Sequence, residues 1–283
     1  MNRKRTAAAV GALTLALMST SCASETNEVH PAQGEVAAQK DDHRFVPDYE
    51  KAEKRTDWSA EKLMRDAGFL EDLSAYATSL VKLPQDIPVG GISCGEPNLY
   101  WTSKEKAIIA CYEEVTEMRE LFRASDKADH RPSSSSSVDG RVIGAMSGMF
   151  FHELGHGLIH LYDLPAVGKE EDDADQLAAV VLINDGKQGQ EYLMDMAEAF
   201  RLLGIVEKLG GGDKNQESEY ADVHSLNEQR YYNLLCYQYG AHPEQYKSLV
   251  GKGGLPKERA EDCPDEWKQA ESAWTRLLKP HLR

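Results

Sequence analysis

Between Asp57 and Leu83 the apolar residues Leu63, Met64, Phe69, Leu70, Leu73 and Leu80 fall at helical spacings, and Gly68 interrupts the series. Two short helices are expected there. The period then changes: Ile87-Pro88-Val89 through Ile92, Leu99 to Trp101 and Ala107 to Tyr112 have strand character with turn residues between them, which predicts a small sheet. A helical pattern resumes from Tyr112 to Phe122. Asp126 to Gly140, with Pro132 and the run Ser133 to Ser137, reads as a loop. Beyond it the pattern predicts helices near 141–162, 170–185, 190–209, 219–239, 243–250 and 264–278, separated by Pro165, Gly168, Gly186, Gly210-Gly211-Gly212, Gly240 and Pro264. The expected class is α+β, a small N-terminal β-sheet with an edge strand followed by a mainly helical region.

The N-terminal segment follows a different rule. Arg3, Lys4 and Arg5 precede an apolar stretch from Ala7 to Met18 that is too short to span a bilayer, and small residues follow, so residues 1–21 read as a secretory signal peptide. Cys22 stands where the cysteine of a bacterial lipobox would, although Ser19 replaces the usual leucine three positions earlier and cleavage after Ala23 competes. Residues 22–45 are then the anchor cysteine and a polar tether, and 46–283 the domain. The expected location is the bacterial cell envelope, or secreted if Cys22 is not lipidated. With Cys22 set aside, four cysteines remain. In an exported chain they imply two disulfides with three possible connectivities, of which the local one, Cys94 with Cys111 and Cys236 with Cys263, is the simplest. The formal charge of -15 excludes nucleic acid as a partner and leaves the N-terminal lipid as the expected membrane contact.

Candidate chemistry begins at His152-Glu153-Leu154-Gly155-His156, inside an apolar stretch that includes Val142, Ile143, Met146 and Met149. Histidines at i and i+4 share a helix face, close enough for both imidazoles to bind one Zn²⁺ at about 2.0–2.1 Å. Glu153 lies beside the metal position, where it can act as general base toward water. His160 extends the series, but eight helical residues rise about 12 Å, so it cannot share that ion with His152 while His156 does. The metzincin spacing fails as well, because Ile159 and Tyr162 occupy its glycine and third-ligand positions. In the next helix Glu171 and Asp175 lie four apart at the edge of the buried face. Burying both would be costly without a cation, which suggests Glu171 as third ligand, with Glu170 as the rival, and Asp175 accepting the free N–H of a ligand histidine.

His152-Glu153-x-x-His156 followed by Glu171-x-x-x-Asp175 resembles the gluzincin, thermolysin-like arrangement. More closely, Leu83-Pro84, Cys94 to Asn98, Cys111-Tyr112-Glu113, Glu170 to Ala178, His224 to Cys236 and Leu255 to Cys263 resemble a bacterial family of metallopeptidase-like domains of unknown function, over about residues 45 to 279. The resemblance implies a zincin-like fold and a zinc peptidase with one Zn²⁺ per chain acting on peptides or proteins. It also implies an edge strand, Asn98-Leu99-Tyr100, that pairs with substrate through its main chain. His224 would donate to the oxyanion, oriented by Asp222. Two other readings stay open, a non-catalytic zinc-containing binding lipoprotein and a zinc hydrolase of other amides.

Overall fold

The computed structural model describes residues 43–129, 135–209 and 221–283. The expected signal segment, Cys22, most of the expected tether and the Gly210-Gly211-Gly212 break lie outside them. The described elements are β1 (Phe45–Tyr49), α1 (Trp58–Asp66), α2 (Phe69–Leu80), β2 (Ile87–Ile92), β3 (Leu99–Thr102), β4 (Ala107–Cys111), α3 (Tyr112–Ala128), α4 (Ser135–Tyr162), α5 (Glu170–Asn184), α6 (Lys187–Leu209), α7 (Asn227–Ala241) and α8 (Lys257–Leu278). The class is α+β.

The sheet has the order β1-β2-β4-β3, with β1 and β4 parallel to β2 and β3 antiparallel to β4. The expected hairpin is present, Leu99 opposite Ala110 and Thr102 opposite Ala107, and β3 is an edge strand. β1 is an addition. Phe45, which the sequence places at the end of the tether, starts this strand and is 3% exposed. Pro47 and Asp48 disguise the segment, since both are poor strand formers, yet pairing with β2 and burial of Phe45 outweigh them.

α4 is central because its sequence is apolar almost all round: Val142, Ala145, Met146, Phe150, Phe151, Leu154 and Leu158 are all buried. It packs against α5 and α6 on the helical side and against β3 on the other. It begins within the stretch read as a loop and ends where Asp163 turns left-handed at φ 51° and the Leu164 N–H reaches back to the Ile159 carbonyl at 3.0 Å. α5 then returns against it.

Other departures from the expected helices have local causes. α8 starts at Lys257 and runs through Pro264, because Ala260, Cys263, Trp267, Ala270, Trp274 and Leu278 form one buried stripe whose burial outweighs the roughly 3 kcal/mol cost of an internal proline. The expected helix over 243–250 reduces to a 3₁₀ turn, Lys247–Leu249, as Pro243 and the glycines after Val250 leave too few residues to repay nucleation. α7 begins only at Asn227, since the Asp222 carboxylate accepts the His224 N–H at 2.8 Å and folds the preceding chain into a turn.

Disulfides join Cys94 to Cys111, across the hairpin, and Cys236 to Cys263, between α7 and α8. Loops of 17 and 27 residues would each constrain the unfolded chain by about 3–4 kcal/mol. Among the C-terminal residues Arg283 donates to the carbonyls of Val81 at 2.9 Å and His43 at 2.6 Å, and Leu282 bridges Val81. Among the described residues no helix is long and apolar enough to cross a membrane.

Candidate metal centre

α4 and α5 can approach closely because Gly155 has no side chain. A Cβ there would stand 2.9 Å from the Ala174 Cα, which no helix pair tolerates without moving apart. That contact brings the first turn of α5 against the middle of α4. Three donor atoms converge there. His152 Nε2 lies 3.1 Å from both His156 Nε2 and Glu171 Oε2, and the last two are 3.4 Å apart. Donors bound tetrahedrally at 2.0–2.1 Å stand about 3.3–3.4 Å from one another, so the spacing of this set fits one Zn²⁺. Among the described residues these three form the one cluster of histidine, cysteine and carboxylate side chains able to hold a metal.

The outer nitrogens are already used. His152 Nδ1 pairs with Asp175 Oδ1 at 2.8 Å, and His156 Nδ1 with Glu170 Oε1 at 2.7 Å. Glu170 therefore stands behind His156, as Asp175 does behind His152, and Glu171 faces the cluster. Each carboxylate fixes an imidazole so that its Nε2 points inward. His160 is outside the cluster, its ring 6.2 Å from that of Trp101.

The ionisable groups of the cluster shift one another strongly. Burial opposes ionisation of Glu171, but hydrogen bonds from His152, His156 and His224 outweigh it and hold the carboxyl far below the usual range. Burial also works against protonation of His156, yet Glu171 and Glu170 push it up to about 9. Glu153 differs: burial dominates and raises its pKa. Its Oε2 accepts the Trp101 N–H from β3 at 2.7 Å, while Oε1 faces His152 Nε2 at 3.9 Å and receives no hydrogen bond from the described residues.

Two cavities meet at this point. One, of about 550 Å³, runs past Glu153 toward Met149, Phe200 and Arg230; the other, of about 940 Å³, runs along Tyr100, Trp101 and His156. Asn98 and Leu99 line both, and Tyr100 lines the second, so the candidate substrate strand borders the cleft. His224, on the turn before α7, reaches it too. Its Nε2 is 3.1 Å from Glu171 Oε2 and its Nδ1 3.0 Å from Asp222 Oδ1.

Two participants are not evident from the sequence. Arg230 on α7 clamps Asp175 with Nε and Nη2, each at 2.7 Å, and lies 3.8 Å from the Phe200 ring centroid. The 55 residues between its partners erase any local spacing signal. Trp101 acts through its main chain, which no side-chain motif records.

No curated protein and no solved structure matches the chain. One family profile, that of DUF4344, does, over residues 49–278. A profile matching most of the described domain, with its two-histidine helix, the carboxylate-bearing helix and the edge strand inside the matched range, places this chain in the family described as "Putative metallopeptidase".

Proposed function

We propose that the chain is a zinc-dependent hydrolase of peptide bonds, exported and held at the bacterial cell envelope by a lipid on Cys22. The placement of Glu153 carries the peptidase reading: a largely buried carboxylate anchored through one oxygen, with the other directed at the point where three donors converge. A purely structural zinc site closes with four protein ligands, whereas this one offers three and a neighbouring base.

His152, His156 and Glu171 would hold the ion, which when bound would polarise the scissile carbonyl and acidify water. Glu153 would take the proton of the attacking water through Oε1 and pass it to the departing amine, a role suited to its raised pKa. An extended peptide would be aligned by the outer edge of β3. His224, held by Asp222, would donate from Nε2 as negative charge grows on the carbonyl oxygen. The signal pattern of residues 1–21, the lipobox-like Cys22 and two disulfides support export.

The test combines metal analysis with peptide-library cleavage. Wild-type protein should hold about one zinc per chain, His152→Ala, His156→Ala and Glu171→Ala should lose it, and His160→Ala should keep it. Glu153→Gln should retain zinc while turnover falls about 10²–10⁴-fold. His224→Ala should lower kcat with little change in KM or zinc. Metal kept by both histidine variants, or no cleavage by the zinc-loaded wild type, would overturn the assignment, and the latter would favour a zinc-containing binding protein. A mature N-terminus at Ser24 would remove the anchor.

A further inference from the structure

The 550 Å³ cavity holds one charged group that the chemistry above does not use. Glu114, in the first turn of α3, lines it and is 7% exposed. No hydrogen bond or ion pair from the described residues reaches its carboxylate. The other charged groups of this cavity are committed. Arg230 is bound at two nitrogens by Asp175, Glu153 accepts from Trp101, Glu207 accepts from the Asn227 side chain at 2.9 Å, and Asp222 holds His224. A buried carboxylate without a partner is costly, and proteins keep such groups where a ligand completes them. Burial, with a smaller contribution from Glu117, pushes Glu114 up to about 7, so an arriving positive charge would draw it into the ionised form. Met149, one helical turn before Glu153 on α4, and Phe200 supply the apolar wall along which an alkyl stem would lie.

We propose that this cavity is a substrate subsite in which Glu114 receives a cationic group of the peptide, either a lysine or arginine side chain beside the scissile bond or a free α-ammonium. The proposal rests on the peptidase reading for its substrate class, but its ligand contact does not require turnover. The helix N-terminus favours a carboxylate at this position without explaining why it faces a cavity unpaired.

The experiment is calorimetric titration of the zinc-loaded protein with three probes: Nα-acetyl-lysine amide, leucine amide and Nα-acetyl-norleucine amide, which present a side-chain cation, an α-ammonium and no charge. One of the two cations should bind about tenfold or more tighter than the neutral amide, as a charge-assisted contact is worth, and Glu114→Gln should abolish the difference. Which cation binds identifies the source. Glu114→Met provides the same comparison if the glutamine variant does not fold. Equal binding of all three probes, or a cation preference that survives both substitutions, would overturn the subsite. Peptide cleavage without a Glu114-dependent preference would sink the subsite and leave the peptidase; Glu114-dependent cation binding without cleavage of any peptide would do the reverse.

Discussion

Arg230 shows how one residue far from the motif can govern the site. Its guanidinium is the charge that lets Asp175 stay ionised at 4% exposure: burial raises that carboxyl, and Arg230 and then His152 more than reverse it. Removing one partner of a buried pair strands the other, so Arg230→Met should destabilise the fold by about 3–5 kcal/mol, read from urea unfolding. Because Asp175 orients His152, zinc affinity should also fall about 10–100-fold. Arg230→Lys should recover part of the stability and less of the affinity, since an ammonium cannot supply the two-pronged contact. At this scale the sequence is unevenly legible. His152, Glu153, His156, Glu171 and Asp175 lie on two helices at helical spacings, and Glu171 and Asp175 are conspicuous as carboxylates beside an apolar face. Glu114 follows Glu113 in a first helical turn, where acidic residues are ordinary, so its burial against a cavity becomes visible only in three dimensions.

The helices meet through contacts with opposite tolerances. At the α4–α5 crossing a single methyl group matters. Gly155→Ala raises helix propensity by about 1 kcal/mol, yet the new Cβ would press on the Ala174 backbone and push away the turn that carries Glu171. Zinc affinity should drop about tenfold or more while the isolated α4 becomes more helical, and unchanged affinity would refute the close-approach argument. At the α4–α6 interface burial pushes Asp195 up to about 7, Glu191 and Glu198 adding to the shift and Arg141 opposing it. With a folded value above the unfolded 3.8, the native state holds a proton that the unfolded chain releases. This contribution to stability is full below about pH 4, declines as pH rises through about 7, and is constant above. Asp195→Asn should therefore gain on wild type across that window, measured as the difference between their unfolding free energies at each pH. Period and turn residues make most helices legible, because each is long and its buried face repeats. β1 and the first turns of α8 are not, since five residues containing a proline carry no period and a proline near a helix start looks like its boundary. In both, tertiary burial decides against local propensity.

At the scale of the whole molecule the elements divide the work. The sheet supplies an edge and one main-chain N–H for Glu153, α4 and α5 supply the donors, and the α7 region supplies Arg230 and His224. The α+β class follows from the change of period near Tyr112, but the sheet's order does not, because parallel pairing of β1 and β4 with β2 depends on crossovers that leave no mark in the strands themselves. The contacts of Arg283 with His43 and Val81 have a further consequence. Residues 43 and 283 adjoin, so a short linker could join them without stretching the fold. A circular permutant that joins 283 to 43 through a short glycine-serine linker and opens between the exposed Lys252 and Gly253 should fold, bind one zinc and unfold as cooperatively as the parent. Failure of that permutant to fold would mean that the order in which the chain is drawn, and not only its set of contacts, helps determine this structure.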